Sequence, residues 1–545
     1  MKSNLLIFLM SLFICACSQK KNIDLLVYNA TVYTVDSSFS IAEAIAVKDG
    51  KIVEVGKSFD LQEKYNAKES LDAQGKFIYP GFIDAHAHFV GYGQSLFTVN
   101  LFDSKNFDEV IQRVEDFIST HHDESWIRGR GWDQNKFPGK EFPNNNRLNE
   151  LFPDKPVLLG RVDGHAAIAN QKALDLAGIK PGDTLTGGVI ETKNGKLTGI
   201  LIDNAVDLVT AKIPATSKAD YEKWLVAAQK NCFAVGLTTV DDCGLGSDMI
   251  LFIDSLQKIG ELKMRIYAML SDNKKNLEFV ESRGKIKTDH LNVRAFKVYA
   301  DGALGSRGAC LLKPYSDKPE WSGFLLSSRS HFDSVAKVMQ EKGFQMCSHA
   351  IGDSGNRTIL TIYANHLKEN NDLRWRIEHA QVVNQEDFNL FGAFAIIPSV
   401  QPTHGTSDMY WAGDRLGPER VKGAYAFKQL LNQNGWIPLG TDFPVEDISP
   451  FKTFYAVVVR KDAKGWPEGG YQMENALTRE DALLGMTIWA AKANFEENEK
   501  GSLEKGKFAD FVILDADLMK ENADKLLQIK VWKTFLGGEK VYEAK

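Results

Sequence analysis

Two histidines set two residues apart, His86 and His88, close the apolar run Gly81-Phe82-Ile83-Asp84-Ala85-His86-Ala87-His88. On an extended strand the side-chain period is two, so both imidazoles face the same side and can grip one cation. Taken alone such a pair is more often a polar strand end. Other apolar runs finish in the same way, 345–349 in His349, 376–379 in His379 and 438–442 in Asp442. Imidazole and carboxylate are ligands that zinc and other divalent first-row ions accept. Four histidines and an aspartate brought to one place would bind metal and activate a water for hydrolysis.

The elements that deliver these side chains read as eight candidate strands, at 77–83, 237–240, 264–270, 295–300, 345–347, 375–377, 395–400 and 437–439. Helix-length stretches separate most of them, the pattern of parallel βα units, and eight units predict an α/β fold with a closed (β/α)8 barrel. Barrels of this kind keep their active sites at the C-terminal ends of the strands, where the ligands above fall. The interval from Phe89 to about Val235 is too long for one crossover and predicts an inserted subdomain at about 120–225. Short alternating runs with Asp-Gly punctuation fill the N-terminal part, and the same signal returns at 511–514, 531–536 and 540–541. The expected organisation is a small β-sandwich module built from both termini, 23–80 and 496–545, around a barrel at 81–495.

Bulk properties narrow the partners. The 545 residues carry 65 basic and 71 acidic side chains, a net charge of −6, which leaves no basic field for a nucleic-acid backbone. With 44% hydrophobic and 25% charged residues the chain can bury a large core and build a deep site for a small molecule. At the N-terminus, Lys2 precedes an apolar stretch at 5–14 and then Cys15-Ala16-Cys17, an export signal too short to remain as a membrane span. Ile14-Cys15-Ala16-Cys17 resembles the lipobox of bacterial lipoproteins, which implies a signal peptide at 1–17, a tether at 18–22 and a lipid on Cys17 as the sole membrane attachment at the cell envelope. Plain secretion is the alternative. Cys232, Cys243, Cys310 and Cys347 are irregularly spaced and predict no disulfide framework.

The order HxH, Lys, His, His, Asp across a barrel framed by a β-module resembles the amidohydrolase superfamily. Residues 296–307, Gln401-Pro402-Thr403-His404 and Gly440-Thr441-Asp442-Phe443-Pro444-Val445 are similar to amidohydrolase family three, the branch that includes N-substituted formamide deformylase. The resemblance runs from about residue 23 to 541. It implies a first divalent metal, zinc foremost, on His86, His88 and Asp442, and a second on His349 and His379, with Lys297 bridging them as a carbamate. If Lys297 is instead a salt-bridged core lysine, one metal is expected. The implied reaction is hydrolysis of an amide or N-substituted formamide C–N bond by a metal-activated water, with Asp442 as base and then acid.

Around that set, His404 follows the seventh strand and is placed to contact substrate or support the ligands. His165 and Asp163, in the insert, are candidates to reach over the barrel mouth, and Trp132, with Trp126 and Phe137, to meet an apolar substituent of the substrate. Asp84 shares a strand face with His86. Two other functions stay open: a superfamily deaminase, which an ammonia readout would reveal, and a catalytically idle binding protein on the same fold. No GxSxG, GxxxxGK[ST] or HExxH motif is present to support serine-hydrolase, nucleotide-hydrolase or zincin chemistry.

Overall fold

A computed structural model describes residues 20–122, 124–368 and 371–545; the apolar leader and Cys17 lie outside the described residues. Seven parallel strands, Phe82–Ala87, Leu237–Leu245, Arg265–Ser271, Leu291–Tyr299, Gln345–Ala350, Arg376–His379 and Ile397–Ser399, stand side by side in chain order. The eighth position is taken by 438–440. Leu439 bridges Val400 in parallel, and the amide of Ala85 donates to the Leu439 carbonyl at 3.2 Å, which brings the last strand back to the first. The result is the nearly closed α/β barrel expected from the alternation of apolar runs with helices.

Side chains fill the interior. Every residue of Phe82–Ala87 and Gln345–Ala350 is buried, as strands covered on both faces require. Cys243, Tyr267, Met269, Ala295 and Cys347 form one packed layer inside, below the histidines. Cys232, Cys243, Cys310 and Cys347 are all free, in line with the absence of a disulfide pattern.

The run at 77–83 does not continue as one strand. Phe77–Pro80 belongs to the sandwich and Phe82–Ala87 to the barrel. The chain passes between them at Gly81, where a Cβ would lie 2.3 Å from Thr238 Oγ1. Only glycine lets the two sheets approach so closely.

Both termini build the sandwich. Phe511–Leu514 runs antiparallel to Phe77–Pro80, Val512 opposite Tyr79, within a sheet that also holds Thr31–Tyr33 and Val531–Leu536. The second sheet, Lys51–Gly56, Ala44–Lys48, Lys21–Tyr28 and Tyr65–Asp72, packs against it through Val27, Ile45, Ile78, Phe511, Ile513 and Phe535. Arg265 ties this module to the barrel, its Nε 2.6 Å from Asp510 Oδ2 with both groups buried.

The insert begins earlier than 120 and its sheet ends before 225. Six strands between Val99 and Asp203 form a separate sheet, whereas helix Lys218–Ala234 packs Leu225, Ala228 and Phe233 into the barrel core. The short first strand Val99–Asn100 is too brief to give a periodic signal, and so the start was not legible. Trp132 is not a substrate contact. It is fully buried in the insert core with Val99, Leu159 and Ile168, and its indole N–H donates to the Leu159 carbonyl at 2.7 Å. Phe137 packs in the same cluster and Trp126 on the opposite face of the insert sheet.

Candidate metal centre

The seam between the first and last barrel strands sets the centre. Asp84 accepts hydrogen bonds from the Thr441 amide at 2.9 Å and its hydroxyl at 2.7 Å, and the Asp442 amide donates to the His86 carbonyl at 2.7 Å. Between them Gly440 leaves no room for a side chain, since a Cβ would stand 2.5 Å from the His86 amide nitrogen. Asp442 itself is held at φ +64° and His379 at φ +73°, left-handed conformations that non-glycine residues rarely take. That twist brings His379 into the mouth although it sits one position out of phase with Glu378.

Asp442 lies among three imidazoles. Its Oδ1 is 3.2 Å from His88 Nε2 and 3.6 Å from His86 Nε2, and its Oδ2 is 3.6 Å from His404 Nε2. His379 faces His86 with ring centroids 4.7 Å apart and His349 at 4.5 Å, and lies nearly parallel to His404 at 5.7 Å. Lys297 Nζ is 3.4 Å from His86 Nε2. Ligand atoms of His86, His88 and Asp442 come within 4.8 Å of one another, and so do those of His379, His404 and Asp442. The second triple brings His404 into the centre; His349, which the family resemblance pairs with His379, has its ring 4.5 Å from that of His379 and 4.9 Å from that of His165.

This donor set fits divalent metal. Nε2 of His349, Nδ1 of His379 and Nε2 of His404 are buried without a hydrogen-bond partner among the described residues, an arrangement that costs stability unless something accepts their lone pairs. Burial, reinforced by the charge of Lys297, pulls the His86 imidazole down to about 4. Burial also holds His349 and His379 far below the ordinary histidine range, so the rings are neutral, as ligands must be. Burial opposes ionisation of Asp442, but the His88 contact and the neighbouring imidazoles outweigh it and keep the carboxylate charged. For Lys297, burial works against the ammonium, yet Cys243, Tyr299, Glu378 and Asp442 together raise its pKa. Cations among the histidines would replace that attraction by repulsion and favour the neutral amine that carbamate formation needs.

Beneath the histidines lies a buried ionic chain that the sequence reading passed over. Glu378 Oε2 is 2.5 Å from His86 Nδ1, which leaves Nε2 of that ring facing the centre. Arg376 backs Glu378 at 2.7 Å, reaches Asp241 Oδ2 at 2.8 Å and Ser399 Oγ at 2.9 Å, and donates to the Ala85 carbonyl. The signal for it was present as Arg376 and Glu378, two apart and so on one side of the strand that ends in His379. Asp301 is similarly buried, accepting from the amides of Cys310, Ile351 and Gly352 at 2.8–2.9 Å just after the His349 strand.

Above the centre is a cleft of about 650 Å³, lined by His349, His379, His404 and Asp442 from the barrel and by Arg130, Arg161, Asp163 and His165 from the insert. His165 Nδ1 is 2.6 Å from Asp203 Oδ1, and its ring lies 4.9 Å from that of His349. Asp203 fits because Gly302 and Gly308 stand against it, a Cβ at either lying within 2.4 Å of Oδ2. Burial disfavours the His165 cation, but Asp203 prevails and raises its pKa. Asp163 faces the cleft while accepting from Arg161 Nη1 at 2.5 Å and from the His165 amide at 3.0 Å, a role that fixes the turn.

Substituting Glu378→Gln is expected to weaken metal binding about 10- to 100-fold in a chelator competition, because the ring of His86 loses the carboxylate that orients it. Unchanged affinity would remove Glu378 from that role. The depressed pKa of His86 gives a second expectation. The folded chain takes up fewer protons than the unfolded chain between about pH 4 and 6.5, so the neutral ligand is fully favoured above that window and lost as pH falls through it. Metal content after dialysis should therefore hold down to about pH 5 and fall toward pH 4; release centred near 6.5 would contradict the assignment.

Residues 69–542 match the amidohydrolase family. The chain is 34% identical to Protein LONG AFTER FAR-RED 3 of Arabidopsis thaliana over 539 residues, covering 95% of this chain and 91% of the relative. It is 26% identical to the N-substituted formamide deformylase of Arthrobacter pascens, covering 95% and 98%. The crystal structure of an uncharacterized metal-dependent hydrolase from Pyrococcus horikoshii superposes with a TM-score of 0.75 at 28% identity, covering 92% of this chain and 99% of that one. The chain therefore belongs to the amidohydrolase family.

Proposed function

We propose that the protein is a metal-dependent hydrolase that cleaves the C–N bond of an amide or N-substituted formamide in a small molecule. The observation that carries this reading is the Asp442 carboxylate set among His86, His88 and His404 at the floor of a cleft. The formamide deformylase of Arthrobacter pascens, alike over nearly its whole length, supports the bond type. His86, His88 and Asp442 would hold one divalent ion, zinc foremost, and His349 and His379 would hold a second, with His404 beside them and Lys297, as a carbamate, adding a further oxygen ligand.

Bound there, such an ion supplies a Lewis acid for the carbonyl and a water acidified toward neutrality. The chain supplies the rest. Asp442, held ionised, takes a proton from the attacking water as the O–C bond forms, and returns it to the nitrogen as the C–N bond breaks, releasing acid and amine. Glu378 keeps His86 in one tautomer through this cycle. The insert closes one side of the cleft and limits access of bulk water to the reacting bond.

Replacing Asp442 by Asn should lower kcat on a formamide or amide substrate by about 100-fold or more while thermal unfolding stays that of a folded protein. A rate near wild type would dismiss the role. Elemental analysis belongs beside it: about two metals per chain, falling to one or none in Lys297→Ala, supports the bridged centre. For location, we propose attachment to the cell envelope through a lipid on Cys17. Labelling with a fatty acid in a bacterial host should mark the wild type and not Cys17→Ser; label on neither chain would favour release as a secreted protein.

A further inference from the structure

Four arginine and lysine side chains line the cleft, Arg130, Lys136, Arg161 and Lys452. Arg161 is held by Asp133 and Asp163, Lys136 by Asp103 at 2.9 Å and Lys452 by Asp447 at 2.7 Å. Arg130 has no carboxylate partner among the described residues. Its Nη2 donates to the Val162 carbonyl at 3.1 Å, and its Nε is buried with nothing to bond. The carboxylates that could neutralise it are engaged elsewhere, Asp163 by Arg161 and the His165 amide, Asp442 by the histidines.

The backbone is shaped to present this side chain. Strand Ile127–Trp132 shifts register between Arg130 and Trp132, and Gly131 between them sits at φ +121°. That irregularity sends Trp132 into the insert core and Arg130 to the cleft. Across from it, Gly164 at φ +77° leaves space for the guanidinium, since a Cβ there would lie 2.9 Å from Nη2. The half-buried Arg130 guanidinium has no counter-charge in contact among the described residues, and its planar fork matches a carboxylate through two parallel hydrogen bonds.

Resting on the hydrolase reading above, we propose that Arg130 is the specificity-determining residue of this site and receives a carboxylate carried by the same small molecule whose C–N bond is cut. The amide lies over Asp442 and the histidines, and the carboxylate extends toward the insert. Asp408 and Glu446, the other carboxyl groups of the cleft, are not in contact with Arg130; Asp408 accepts from the Tyr425 hydroxyl at 2.8 Å and Glu446 from Ser407 Oγ at 2.6 Å.

The test is calorimetric binding of N-formylphenylalanine and its carboxamide, each enantiomer, to metal-loaded wild type, Arg130→Gln and Arg130→Lys. In the wild type one enantiomer of the acid should bind roughly 50- to 100-fold tighter than its carboxamide, the size of effect expected from a charge-assisted pair. In Arg130→Gln that preference should shrink to about threefold or less, chiefly through weaker binding of the acid, and Arg130→Lys should recover part of it, since an ammonium cannot reproduce the fork. Equal binding of acid and carboxamide by the wild type, binding of neither, or a preference that survives in Arg130→Gln overturns the proposal. Turnover of the same compounds is read separately. Selective binding with no hydrolysis of any member would remove the hydrolase reading and leave the Arg130 assignment, whereas hydrolysis without selectivity would do the reverse.

Discussion

Closure of the barrel between its first and last strands is the constraint from which the site follows. Asp84 on one strand grips Thr441 on the other, and Gly440 lets the two backbones meet beside His86. Because the ligating side chains occupy both edges of this seam, fixing the seam fixes His86 and Asp442 relative to each other. Burial pushes the Asp84 carboxyl up to about 7 despite the Thr441 hydrogen bonds, so near neutral pH the group that ties the seam carries only part of a full negative charge beside the centre. Asp84 thus acts as a strand clamp.

Charge inside the barrel is arranged in tiers. At the lower tier the Arg376 guanidinium sits between Asp241 and Glu378, all fully buried, and Asn494 donates to the second oxygen of Asp241 at 2.6 Å. Breaking any one contact would strand a charge in a medium that solvates it poorly, which is why such chains are rigid even where their net contribution to stability is small. Rigidity passes upward through Glu378 to His86 and sideways through the Ala85 carbonyl to the first strand. Above that tier His86, His349 and His379 are neutral, and His349, His379 and His404 each keep a buried ring nitrogen without a partner among the described residues.

Much of this was legible from the order of residues. The strand period placed His86 and His88 on one side, and apolar runs ending in His349, His379 and Asp442 marked strand ends in the correct order around the barrel. What escaped has physical reasons. Glu378 and Arg376 stand out only once closure of the barrel shows that both are buried inside it. His404 was placed near substrate or behind the ligands, and its approach to Asp442 was not legible because it follows a strand of three residues and belongs to helix Pro402–Asp408, whose direction the pattern does not reveal. Trp132 looked like a substrate contact and Arg130 carried no signal; where both end up depends on one irregularity at Gly131 that no periodicity records.

The sandwich has a consequence for how the chain reaches this state. The hydroxyls of Tyr33 and Tyr79 both meet the Asp517 carboxylate, in the first case across 484 residues of sequence. Until those late residues exist, Phe77–Pro80 has an unpaired edge and the first barrel strand, one glycine away, lacks its anchor. During synthesis the early segments must therefore wait, exposed, for the end of the chain, a topology of high contact order that folds slowly and invites chaperones. A polypeptide so arranged cannot close its β-module, or anchor its first barrel strand, before its last strands are available to pair.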